Sequence, residues 1–190
     1  MTGALSLCRK EFNAYFDSPV AYVFVVSFLV VTYWFFFRGF FLTNQIQMRD
    51  YFSFLPWVFL IFIPAVTMRL WAEEKKMGTV EILLTLPVRE YELVLGKFMA
   101  GFLFVFVSVF FSFSLPLTLG FLGELDWGPV IGGYLGTCLL GGAYLSVGLF
   151  LSNFTKNQIV AFILTILLSF TLFILGEDII LANLPDSWVP

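Results

Sequence analysis

The chain has 190 residues, of which 60% are hydrophobic and only 12% charged, about half the charge of a soluble domain. With 26 Phe and a formal net charge of −3, it fits neither a water-soluble core nor a nucleic-acid surface. So much apolar surface calls for lipid, and a phosphate-binding patch needs clustered cations.

Residues 1–19 precede the first long apolar run. Leu5, Cys8, Phe12 and Phe16 recur there at helical spacing between Arg9, Lys10, Glu11 and Asn13. That pattern predicts an amphipathic helix lying in the membrane interface, with a loose leader as the alternative. Val20–Phe37 is uncharged and long enough to cross about 30 Å of hydrocarbon. It is longer than a signal-peptide core and ends in an aromatic anchor before Arg38, so it is expected to remain as a span. A polar loop from Arg38 to Asp50 leads into the second run, where Pro56 and Pro64 are expected kinks. The third run is Phe98–Gly123, interrupted by Pro116. Glu124 and Asp126 mark a polar turn before the fourth run, about 129–151. Ser152–Gln158 is a further loop, and a fifth run covers about 159–176.

Between the second and third runs lies Arg69–Lys97, which holds five of the ten Lys and Arg and five of the thirteen Asp and Glu. Local rules divide this arm. Trp71–Met77 is expected to extend the second helix, with Lys75 and Lys76 facing its terminal dipole. Gly78 suits the position just past a helix end, and Thr79 suits the cap of a new short helix, with Glu81 in its first turn. Ile82, Leu83 and Leu84 give that helix an apolar face. Pro87 then forces a corner, and helix resumes near Val88. A plain connector needs no such apolar patch rimmed by charge, so the patch reads as a docking surface.

Positive charge sets the orientation. With the N-terminus inside, the inner segments hold Arg9, Lys10, the arm's five cations and Lys156, whereas the outer ones hold Arg38 and Arg49. The N-terminus and the arm are therefore expected to be cytoplasmic. Five spans leave the C-terminus outside, and a sixth span is expected to be missing. In the fourth run, Gly132, Gly136 and Gly141 are candidates for close helix packing, either within the chain or at a dimer seam. Ser108, Ser112, Ser114 and Thr118 either line a path or bond to their own helix carbonyls. Two distant cysteines, Cys8 and Cys138, and the absence of His point away from disulfides and metal.

The phrase Ala72-Glu73-Glu74-Lys75-Lys76, then Gly78-Thr79-Val80-Glu81-Ile82-Leu83-Leu84, Leu86-Pro87-Val88 and Gly96-Lys97 resembles the first cytoplasmic loop of ABC-2-type permeases. These are the membrane subunits of type V ATP-binding-cassette exporters, and the chain is similar to those of gliding motility and nitrous-oxide-reductase maturation. The resemblance implies an all-α polytopic membrane domain over 1–190, with interfacial helix 1–19 and coupling arm 69–97. Six spans are usual in that family. It also implies that the short helix is a coupling helix seated in a groove of a separate ATPase. Glu73, Glu74, Lys75, Lys76, Gly78, Thr79, Glu81, Leu83, Leu84 and Pro87 would then serve coupling. The expected partners are two ATPase chains carrying Mg-ATP and a second permease, identical or paralogous, in a bacterial inner membrane.

This chain is not expected to be an enzyme or to hold a cofactor. A phosphate loop needs Gly, four residues, then Gly-Lys-Ser/Thr, and here Tyr91 stands for the first Gly and Phe98 follows Lys97. Two other readings remain open, a membrane scaffold that recruits a cytosolic protein and a secondary transporter. The second is disfavoured by spans without ionisable residues.

Overall fold

A computed structural model describes residues 2–43, 48–81 and 89–176. The chain is an all-helical, polytopic membrane protein. In order it forms α1 (Thr2–Phe16), α2 (Pro19–Thr43), α3 (Arg49–Thr67), α4 (Ala72–Met77), α5 (Glu90–Phe111), α6 (Ser114–Leu122), α7 (Trp127–Ser152) and α8 (Gln158–Leu175). Among the described residues, five segments are long and apolar enough to span a bilayer, with α5 and α6 together forming the third.

The span ends show why these runs stop where they do. Asp126 caps α7 by accepting from the Gly128 N–H at 3.1 Å, and Asn157 caps α8 by accepting from the Ile159 N–H at 3.0 Å. Each side chain satisfies one of the amides that a helix start leaves free. The first span runs past Phe37 to Thr43, so helix occupies part of the expected Arg38–Asp50 loop. An arginine can follow a span into the headgroups by extending its long stem to water, and Arg38 is exposed. Pro56 and Pro64 both lie inside one continuous α3. Pro116 acts differently. Without its N–H the helix cannot bond to the Ser112 carbonyl four residues back. α5 gives way to α6 there, and the Tyr134 hydroxyl of α7 donates to the Ser112 carbonyl at 3.0 Å.

α3 is the central helix, in contact with α2, α5, α7 and α8. Its buried side chains Tyr51, Leu55, Phe59 and Ile63 form the main core together with Phe28, Phe36, Val105 and Leu145. The close approaches involve a different set of glycines from the GxxxG pair. A Cβ at Gly132 or Gly136 would meet nothing within 4 Å, so within the described chain these two sit on an open face. Gly141 does pack, with Val105 3.0 Å and Phe59 3.4 Å from that Cβ position. Gly133 against Phe52 and Gly148 against Thr67 complete the α3–α7 contact. At Gly148 the Thr67 Cβ would lie 2.7 Å from an added methyl. Gly148→Ala is therefore expected to cost about 1–3 kcal/mol by overpacking, read as a lowered thermal midpoint in detergent, whereas Gly132→Ala should leave the midpoint unchanged.

The small hydroxyls of the third span bond to their own helix. Ser108 donates to the Phe104 carbonyl at 3.0 Å, Ser112 to Val109 at 2.6 Å, Ser114 to Phe111 at 3.2 Å and Thr118 to Leu115 at 2.7 Å. These bonds carry the backbone reading of the four residues.

Candidate coupling site

Three elements meet at the arm end of the bundle. α1 lies along the first half of α5, and α4 joins them after the chain leaves α3 through a turn at Met68–Trp71. The expected continuation of the second helix through Trp71–Met77 is thus broken. The Leu70 N–H bonds to the Thr67 carbonyl at 3.0 Å, which closes a tight turn. The turn carries Trp71 and Glu74 back toward α5.

At the junction stands Lys97, a fully buried cation. Its ammonium lies 2.7 Å from Glu74 Oε1 and 3.3 Å from Glu11 Oε1, and 5.0 Å from the ring centroid of Trp71. A lysine is almost never found fully buried unless paired. Here two carboxylates and an aromatic face replace the water it gives up. The cluster joins α1, the α3–α4 turn and α5 through one atom. Glu74 Oε1 takes the Lys97 bond, while its Oε2 is buried with no hydrogen-bond partner among the described residues. Burial and then Glu11 push the pKa of the neighbouring Tyr15 hydroxyl upward.

α1 docks on the face that makes this possible. Leu7 is buried against α5, 2.9 Å from where a Gly96 Cβ would stand. Glu11 reaches Lys97, and Tyr15 stacks on Phe104 at 5.1 Å between centroids. The docking face is thus Leu7, Glu11 and Tyr15, one helical turn apart each. It is offset from the Leu5, Cys8, Phe12 and Phe16 stripe, of which Leu5 is 65% exposed. An apolar-only pattern search passes over this face because its middle member is a glutamate.

The remaining arm residues fall into distinct environments. Glu74 is turned into the chain and spent on Lys97, rather than presented outward. The Lys75 ammonium donates to the Asn153 carbonyl at the end of α7, tying α4 to a second span. Glu73 lines a cavity beside α1, and Lys76 is exposed. Gly78 ends α4 in the left-handed conformation at φ 72°, with its N–H on the Glu74 carbonyl. This is the glycine helix end expected from the sequence, and it needs a residue without a Cβ. The Thr79 hydroxyl donates back to the Glu74 carbonyl at 3.3 Å, so it closes the preceding helix. Thr79–Glu81 have helical backbone, and Glu81 is exposed. Leu83, Leu84 and Pro87 lie outside the described residues. Helix resumes at Glu90, where the Glu92 side chain accepts from the Arg89 N–H at 3.4 Å.

Glu11, Trp71 and Lys97 did not emerge from the sequence as a site. The available signal was a lysine directly abutting an uncharged run of membrane length, a position where a cation needs a partner. Among the described residues, no group of three or more His, Cys, Asp or Glu could hold a metal ion.

No curated protein matches this sequence. Residues 39–190 match a family described as ABC-2 family transporter protein. The matched region takes in the end of the first span, the arm and the four later spans. The chain belongs to the ABC-2 transporter family, as a multi-pass permease component of an ABC transporter.

Proposed function

We propose that this chain couples ATP hydrolysis on a separate ATPase subunit to the export of a substrate, with residues 79–87 as the coupling helix. The observation that carries this reading is the Lys97 cluster. It anchors the arm, between two spans, to both α1 and α5 at distances of 2.7 and 3.3 Å. A force applied to the arm reaches the spans through packed helices and a paired buried charge, whereas a tethered loop would absorb it.

In this reading the apolar face of Ile82–Leu84 fills a groove of the ATPase, with exposed Glu81 at its rim. Glu73, Lys75, Lys76, Gly78, Thr79 and Pro87 shape the arm and its two corners. Two ATPase chains carrying Mg-ATP serve a pair of permeases, either identical or paralogous. The excess of Lys and Arg on the arm's side supports a cytoplasmic arm and N-terminus in a bacterial inner membrane. The similarity to gliding-motility and nitrous-oxide-reductase-maturation permeases belongs to the same proposal.

A membrane scaffold would recruit a cytosolic protein without answering to nucleotide, and this separates the readings. The full-length chain is co-purified in detergent with ATPases from its genome neighbourhood, and ATP turnover is then measured in lipid nanodiscs. Stable association with turnover altered by this chain is the expected result. Binding to a partner whose turnover ignores the chain would move the assignment to a scaffold.

A further inference from the structure

Beside the Lys97 cluster, α1, the start of α2 and the α3–α4 turn enclose a cavity of about 420 Å³. Its lining changes with depth. Phe24, Val66 and Phe104 form an apolar floor, and the same three residues open a narrow slot that continues toward Phe28 and Phe59. Farther out the wall is ionic, with Arg69 just past the end of α3 and Glu73 and Glu74 on the first turn of α4. Neither Arg69 nor Glu73 is in an ion pair among the described residues. Two buried atoms of the lining, the Tyr15 hydroxyl and Glu74 Oε2, have no hydrogen-bond partner there. Buried polar atoms without partners are costly and rare in folded proteins.

We propose that this cavity binds a zwitterionic phospholipid with a primary ammonium headgroup, drawn from the leaflet on the arm's side. Such a lipid presents acyl chain, phosphate and ammonium. The cavity offers a surface for each, with Phe24 and Phe104 for the acyl chain, Arg69 for the phosphate and Glu73 and Glu74 for the ammonium. A guanidinium suits a phosphate because its fork of donors matches two phosphate oxygens. An ammonium brings three N–H donors, enough for Glu73, the free oxygen of Glu74 and the Tyr15 hydroxyl. The ionic groups around the site comprise the carboxylates of Glu11, Glu73 and Glu74 against Arg69 and Lys97, with Lys10 also acting on Glu74. Of the groups that line the cavity itself, three carboxylates face one cation, Arg69, which disfavours an anionic headgroup. A quaternary ammonium fits less well because it has no N–H to give. The apolar floor selects a lipid over a soluble amine, since burying acyl carbons contributes about 0.8 kcal/mol per CH₂. The inference is independent of the ATPase reading, because it concerns what the permease holds with no partner bound.

Native mass spectrometry of the full chain released from detergent tests it. The probes are three lipids of equal acyl length with ethanolamine, choline and glycerol headgroups. The expected result is retention of the ethanolamine lipid at least about fivefold over the other two. Glu73→Lys should shift the preference to the anionic glycerol lipid. Ala65→Phe, which fills the wall beside Val66, should remove the bound lipid whatever its headgroup, with an unchanged melting temperature confirming the fold. Equal retention of the three lipids overturns the proposal, as does a preference untouched by Glu73→Lys or a lipid that survives Ala65→Phe.

Discussion

Lys97→Met is expected to destabilise the chain by about 3–5 kcal/mol, because it leaves two carboxylates facing each other with no cation between them. Glu11 and Glu74 would each lose the ammonium at 3.3 and 2.7 Å, and Trp71 would lose the cation over its ring. Protonation of one carboxyl recovers part of the loss, so the defect should be smaller in acid than at neutral pH. The single changes Glu11→Gln and Glu74→Gln should cost less, since Lys97 keeps one carboxylate in each. The informative variant is the triple change Lys97→Met, Glu11→Leu, Glu74→Met. A buried ionic group replaced whole by apolar residues is often neutral or stabilising, so this protein should melt near or above the wild type. Its transport should still fail if the ionic character is needed for movement. Melting in detergent, followed by tryptophan fluorescence, reads the whole series. A Lys97→Met protein that melts with the wild type would show that the cluster bears no stability.

The second large effect is expected from Leu83→Asp with Leu84→Asp. If these leucines fill a groove on the ATPase, each aspartate must be desolvated against apolar walls. The loss of two anchoring side chains at about 2 kcal/mol each weakens association on the order of a thousandfold. Insertion should be intact, because Leu83 and Leu84 fall between the second and third spans. The purified variant should thus keep its wild-type melting temperature while losing both ATPase capture and its effect on turnover in nanodiscs. Normal capture with normal stimulation would remove the docking assignment. Together the two experiments separate the parts of the arm. Lys97→Met acts on folding with no ATPase present, whereas the aspartate pair acts only once a partner is added.

Much of the architecture was legible from residue order. Five uncharged runs became five spans, and Gly78 became a left-handed helix end. Ser108, Ser112, Ser114 and Thr118 took the backbone bonds that isolated hydroxyls take in lipid. Two expectations moved once the helices were assembled. The helix expected through Trp71–Met77 broke at Met68–Trp71. The open face of α7 received Gly132 and Gly136, while Gly133, Gly141 and Gly148 took the contact with α3. Glu74, read as an outward-facing partner residue, was drawn inward by a lysine 23 positions away.

The division has a physical basis. Whether a run crosses a bilayer depends on the transfer free energy of its own side chains, and where a helix stops depends on groups within a turn of its end. Both are local sums, so the sequence by itself determined the spans, the charged arm between the second and third, and the helix end at Gly78. Which face of a helix is buried, and which carboxylate a lysine meets, depends on residues brought together from far along the chain. Glu11 and Lys97 are 86 positions apart. Only the tertiary structure decided that they pair, because α1 must first dock on α5 before either charge can leave water.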